Sequence, residues 1–205
     1  MNLADRLTFL RIVLAPVFFI IYLLPEFFPS ISANGSGWTI PVLWIIFIVS
    51  EITDYFDGLA ARKLNLTSDF GKLFDPFADT LVQITCFLCF VIDGIYSSGI
   101  IPAVLFLLVI YREFSILFIR NLMLKKGVTL GARIGGKIKT VAYITAIGAA
   151  LLAATFERLA ILETHLQFFK TGALIIFIIS VIIAVVSFID YMMIYLKTEK
   201  TKQKD

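Results

Sequence analysis

The chain has 205 residues, 60% of them hydrophobic, with a mean hydropathy of +0.94 and only 16% charged residues. Soluble domains carry about 25% charged residues, so the composition excludes a soluble globular domain and points to an integral membrane protein forming one compact bundle. The net charge of +3 says little until the charges are placed along the chain.

Crossing a bilayer needs about 20 apolar residues, and six runs of that kind can be drawn in the sequence. The first extends from about Leu7 to Leu24. Arg11 and Pro16 interrupt it and no small-residue cleavage site follows. It therefore reads as a helix of the mature protein, starting near Asp5, and not as a signal peptide. The second runs from about Thr39 to Arg62, the third from about Gly71 to Ile92 and the fourth from about Ile101 to Leu124. The fifth covers about Lys137 to Phe156 and the sixth about Thr171 to Leu196. The expected fold is all-α, a bundle of six transmembrane helices within residues 1–196. A basic tail, 197–205, is expected to be disordered and to touch anionic lipid headgroups. No internal repeat and no second domain is visible.

The basic residues orient the bundle. One side collects Arg6, then Arg62, Lys63 and Lys72, then Lys125, Lys126, Arg133, Lys137 and Lys139, and finally the tail lysines. The loops from Pro25 to Trp38 and from Asp93 to Gly99 carry no Lys or Arg, and the loop from Glu157 to Lys170 carries only Arg158 and Lys170. The positive-inside rule puts both termini in the cytoplasm, and an even number of spans requires the termini to share a side. The chain is expected in the cell (inner) membrane.

Between Asp54 and Asp79 lies DYFDGLAARKLNLTSDFGKLFDPFAD, with five carboxylates in twenty-six residues of an otherwise apolar chain. Asp54 and Asp57 are three apart, and Asp75 and Asp79 four apart. In helices both spacings put the pair on one face, and a short link lets the two faces meet at the cytoplasmic ends of helices 2 and 3. Four converging carboxylates repel one another and resist desolvation, so a cation belongs among them. Oxygen donors favour Mg²⁺ or Mn²⁺; no His or Cys joins the group, which argues against zinc. The plainer alternative is a solvated acidic helix end. Gly58, Ala61 and Gly71 keep the surface low, either for helix packing or for the close approach of a ligand. Arg62 is either an interfacial anchor or a fork for phosphate. Carboxylates, divalent metal, arginine and a hollow together suit a diphosphate.

The spacing Asp-x₂-Asp-Gly-x₂-Ala-Arg-x₈-Gly-x₃-Asp-x₃-Asp, filled by Asp54, Asp57, Gly58, Ala61, Arg62, Gly71, Asp75 and Asp79, resembles the signature of the CDP-alcohol phosphatidyltransferase family. Eight fixed positions make a specific motif, and the family's six-helix plan covers the whole chain. The resemblance implies transfer of a phosphatidyl group from a CDP-linked lipid to an alcohol, with CMP leaving. It implies that Asp54, Asp57, Asp75 and Asp79 ligate two divalent ions, that Asp79 also serves as general base, and that the protein is a homodimer. It further implies a CDP-lipid site built from Asp5, Thr8, Gly58, Ala61, Arg62, Ser68 and Gly71. Helix capping is the competing reading for Asp5 and Ser68.

The acceptor is read farther along. Arg112 and Glu113 sit mid-span, followed by Arg120, and GARIGGKIKT supplies Arg133, Lys137 and Lys139. An unpaired intramembrane arginine is expensive. Arg112 therefore either pairs with Glu113 or Asp190, or faces a wet pocket for a phosphorylated alcohol. The segments NLADRLTFLRIVLAPVF, YREF and GGKIKT resemble the bacterial branch of the family that uses sn-glycerol 3-phosphate with CDP-diacylglycerol. Inositol phosphate, inositol, serine and phosphatidylglycerol are the alternative acceptors. Outside the family, a divalent-cation transporter would want carboxylates nearer the bilayer middle, and an intramembrane aspartyl protease needs only two. No nucleic-acid partner is expected. Cys86 and Cys89 read as reduced packing residues, and His165, the only histidine, falls in an outer loop.

Overall fold

A computed structural model describes residues 3–28, 36–64, 69–96, 100–125 and 134–202, with side chains over residues 5–28, 37–54, 74–96, 100–124 and 134–198. Among the described residues there is no strand, and six long helices form: α1 (Leu3–Phe27), α2 (Thr39–Leu64), α3 (Asp69–Ile92), α4 (Ile100–Lys125), α5 (Ile134–Arg158) and α6 (Leu166–Lys202). Their number matches the six apolar runs of the sequence. Pro41 and Pro102 stand in the first turns of α2 and α4, where a missing N–H costs no helical hydrogen bond.

Among the described residues, five segments are long and apolar enough to cross a membrane: Asp5–Phe27, Phe74–Ile92, Ile100–Leu124, Ile134–Arg158 and Glu163–Thr198. The sixth helix, α2, packs beside them on α1. The chain is a multi-pass membrane protein. Its outer surface carries large apolar side chains such as Leu107, Tyr111, Phe114 and Phe118 on α4 and Ile175, Ile179, Ile182 and Val186 on α6. Lipid, unlike water, tolerates that exposure.

The helices associate through close packing, which replaces the hydrophobic effect as the driving force in lipid. The most extensive contact is between α5 and α6. Ala146, Ala150, Ala153 and Ala154 of α5 are fully buried, and side chains this small let helix backbones approach. α1 packs on both α2 and α3, while α4 packs on α3 and α6. Phe87 of α3 joins the layers. Its ring lies 5.1 Å from that of Tyr143, edge-on, and 4.9 Å from that of Phe177. Tyr96 in turn stacks on Phe177 at 4.4 Å. Cys86 and Cys89 are buried free thiols within this core.

One end of the bundle is closed by polar bonds. The Tyr22 hydroxyl donates to Asp93 at 2.7 Å. Arg158 donates to the Tyr22 carbonyl at 2.8 Å, stacks over its ring at 4.3 Å and lies 3.6 Å from Asp93. Lys170 donates to Glu157 at 2.6 Å. Both cations of this sparsely basic end are therefore held by acids of the same end. α3 and α5 both finish here with a left-handed residue, Gly94 (φ 68°) and Ala160 (φ 51°). The next amide returns to the helix in each case, Ile95 to Phe90 at 3.1 Å and Ile161 to Phe156 at 3.0 Å. That is the Schellman closure. His165 sits in a short 3₁₀ turn, Glu163–His165, leading into α6. α6 runs on to Lys202 and so takes residues 197–202 of the expected disordered tail into a helix.

Candidate active site

Three helices meet at the other end. On α1, Asp5, Thr8 and Arg11 recur every three residues, and all are buried. The spacing forms one stripe on the helix. The stripe faces α2 and α3. The Thr8 hydroxyl donates to Asp75 Oδ1. Arg11, only 1% exposed, donates through Nη1 to Asp54 Oδ1 at 2.6 Å and to Asp79 Oδ1. Its Nη2 lies 3.7 Å from Asp75 Oδ1. A carboxylate from α2 and two from α3 thus converge on one guanidinium from α1. Pro76 lies between Asp75 and Asp79 in the interior of α3, where it contributes no amide donor.

Beside this cluster opens a cavity of about 230 Å³. Asp75 and Asp79 line it together with Arg112, Arg120, Lys137 and Lys139. The four basic residues come from two different helices, α4 and α5, yet share one hollow with the aspartates. Arg112 does pair with Glu113, at 2.7 Å, and also donates to Ser187 Oγ and the Ala184 carbonyl of α6, both at 3.3 Å. Lys139 donates to the same Glu113 oxygen at 3.2 Å and to Gln83 at 3.0 Å. Arg120 donates to the Tyr191 hydroxyl at 3.2 Å. Arg112 is thus ion-paired with Glu113 and at the same time lines the cavity. Lys137 is exposed at the cavity rim.

The backbone of α2 and α3 carries Asp57, Gly58, Ala61, Arg62 and Gly71, but their side chains lie outside those described. Ser68 and Arg133 lie outside the described residues altogether. Among the described residues, no three carboxylate, histidine or cysteine side chains already stand as a metal-binding group. The donor chemistry nevertheless fits a hard divalent cation, because Asp54, Asp75 and Asp79 already gather around a positive charge and offer only oxygen.

Arg11, at the centre of the carboxylate cluster, is not singled out by the sequence motif. It stood out only as an interruption in an apolar run. The available signals were the three-residue recurrence of Asp5, Thr8 and Arg11 and the cost of an unpaired arginine in a span. Glu51 stands beside the cluster as well. It lies one turn before Asp54 and lines a small cavity, about 10 Å³, with Arg11, Asp54, Asp79 and Gln83.

Residues 1–196 match the sequence model of the family described as CDP-alcohol phosphatidyltransferase. A protein of Treponema pallidum named CDP-diacylglycerol–glycerol-3-phosphate 3-phosphatidyltransferase is 36% identical over 199 residues, covering 94% of this chain and 88% of that protein. One of the same name from Bacillus subtilis is 37% identical over 155 residues, covering 74% of this chain and 77% of that one. Another, from Wigglesworthia glossinidia brevipalpis, is 34% identical, covering 76% and 80%. The family generally depends on divalent metal. With the motif on two helices of a membrane bundle, and with the match running from α1 into α6, the chain belongs to the CDP-alcohol phosphatidyltransferase family of enzymes.

Proposed function

We propose that the protein transfers the phosphatidyl group of CDP-diacylglycerol to sn-glycerol 3-phosphate, releasing CMP and forming phosphatidylglycerophosphate. The observation that carries this reading is the shared cavity. It joins Asp79 to Arg112, Arg120, Lys137 and Lys139, a proton acceptor and a set of cations in one hollow. An acceptor with a hydroxyl at one end and a phosphate at the other suits that pairing, whereas uncharged inositol or zwitterionic serine leaves much of the positive charge unmatched. The names of the related proteins support the same pair of substrates.

Asp54, Asp57, Asp75 and Asp79 would hold Mg²⁺ or Mn²⁺, two ions per site. When bound, these ions neutralise the diphosphate and the charge that develops on transfer. The chain's own groups do the rest. Arg112, Arg120, Arg133, Lys137 and Lys139 hold the acceptor's phosphate. Asp79 accepts the proton of its hydroxyl, the hydroxyl oxygen bonds to the phosphatidyl phosphorus, and the bond to the CMP oxygen breaks. The transfer is a direct displacement, with no covalent enzyme intermediate. Asp5, Thr8, Gly58, Ala61, Arg62, Ser68 and Gly71 bind the CDP-lipid. Asp5 and Thr8 are supported in that role by their place on the α1 stripe that meets Asp75. Both termini lie on the cytoplasmic side of the cell membrane, and the protein works as a homodimer.

The test is a panel of acceptors given to purified protein with CDP-diacylglycerol and Mg²⁺ or Mn²⁺. CMP release and a new lipid are expected with glycerol 3-phosphate. Product with inositol phosphate, inositol, serine or phosphatidylglycerol and none with glycerol 3-phosphate would overturn the acceptor assignment and leave the family intact.

A further inference from the structure

Arg11 comes from α1, while its three carboxylate partners come from α2 and α3. The side chain is fully desolvated, whereas each of the three carboxylates keeps more than a third of its surface exposed. Taken by themselves, one guanidinium and three carboxylates sum to a formal charge of −2, which one divalent ion would balance. Nη1 also takes the Oδ1 atoms of both Asp54 and Asp79, so a single donor bridges oxygens from two helices. An ion held by Asp54 and Asp79 would draw on the same two carboxylates.

We propose that Arg11 is the resident counter-ion of the carboxylate cluster, competing with the divalent ions for Asp54 and Asp79 and so setting the affinity of the site for metal. The inference rests on the reading of these aspartates as metal ligands. Without ions, Arg11 holds the cluster together against its own repulsion. When ions bind, the guanidinium yields those oxygens. Arg11 is thus a positioning residue, acting through Asp54 and Asp79. A purely structural arginine would behave differently, because its loss would scatter the carboxylates and weaken metal binding.

The sign of the change in metal affinity decides the matter. Mn²⁺ binding to the full-length protein in micelles is followed by the loss of free-Mn²⁺ electron paramagnetic resonance signal, without CDP-lipid. Thermal unfolding is recorded with and without the ion. Arg11→Gln is expected to bind Mn²⁺ at least ten-fold more tightly than the wild type. Its metal-free Tm should be lower, and saturating Mn²⁺ should restore it. Arg11→Lys keeps a cation but loses the fork, so a smaller tightening of two- to five-fold is expected, and this variant serves if Arg11→Gln does not fold. Wild-type binding with unchanged or weaker affinity in the variants overturns the competition and leaves the metal reading standing. Absence of Mn²⁺ binding in wild type and variants alike overturns both.

Discussion

Arg112 donates to Glu113, its neighbour in sequence, at 2.7 Å, although adjacent residues on a helix diverge by about 100°. The pair closes because both side chains turn into the bundle, where α6 supplies further acceptors to the arginine. Lys139 of α5 then joins the same carboxylate oxygen. Two buried cations thus depend on one buried anion that is only 3% exposed. Such a cluster is weak evidence of net stabilisation, but removing one member is costly. Glu113→Ala is expected to lose about 3–5 kcal/mol, measured as unfolding in micelles. Adding Lys139→Met should recover part of that loss, since one unpaired cation disappears. A double variant no more stable than the sum of its single changes would show that Glu113 does not couple to Lys139.

The same network decides which residue best reports on acceptor binding. Neutralising Arg112 or Lys139 disturbs Glu113 as well as the cavity. Lys137 lines the cavity at its exposed rim, so Lys137→Gln disturbs the buried network least. If Lys137 holds the acceptor's phosphate, kcat/KM for glycerol 3-phosphate should fall by roughly ten- to a hundred-fold, the worth of a charge-assisted hydrogen bond of about 1.5–3 kcal/mol. The KM for CDP-diacylglycerol should change little. Equal loss for both substrates would place Lys137 outside the acceptor site.

The spans were legible because lipid demands long apolar runs, and no tertiary detail alters that demand. Their ends were less so. The first apolar run, Leu7 to Leu24, sits inside a helix from Leu3 to Phe27, and the last continues to Lys202. Hydropathy senses the part in lipid, whereas a helix continues into the polar zone as long as its backbone bonds hold. The aspartate spacing was legible because it is local, set within two helices and one link. Arg11 was not, since its partners Asp54 and Asp79 lie 43 and 68 residues away. Nor did the sequence show that Arg112 could be both ion-paired and cavity-facing. That depends on α5 bringing Lys139 to the same carboxylate.

Ala160 offers a test of the opposite end. It occupies the left-handed position closing α5, where Gly94 closes α3. A Cβ is strained in that conformation, and glycine is not. Ala160→Gly is therefore expected to stabilise the protein by about 0.5–1 kcal/mol without changing activity. Comparison of thermal unfolding with the wild type checks it. A lower Tm would mean that the flexibility glycine gives the unfolded chain outweighs the relief of strain.

Asp79 carries the sharpest distinction in the proposed mechanism. It receives Arg11 from α1 and opens onto the cavity lined by Arg112, Arg120, Lys137 and Lys139, whereas Asp54 meets Arg11 but does not line that cavity. Asp79 alone among the aspartates is assigned both a ligand's and a base's role. Asn keeps its size and one oxygen but removes the basic site. Asp79→Asn should therefore still bind CDP-diacylglycerol in the presence of divalent ion, yet lose turnover by about 10²–10⁴-fold, the usual worth of a general base. Asp54→Asn and Asp57→Asn should weaken metal-dependent binding of the CDP-lipid itself, because the diphosphate is held through the ions. Titration of CDP-lipid binding and single-turnover CMP release, each at several Mg²⁺ concentrations, separates the two behaviours. Excess Mg²⁺ is expected to rescue Asp54→Asn in part and Asp79→Asn hardly at all. If it restored Asp79→Asn to near wild-type turnover, Asp79 would be a ligand only, and another group would have to take the hydroxyl proton.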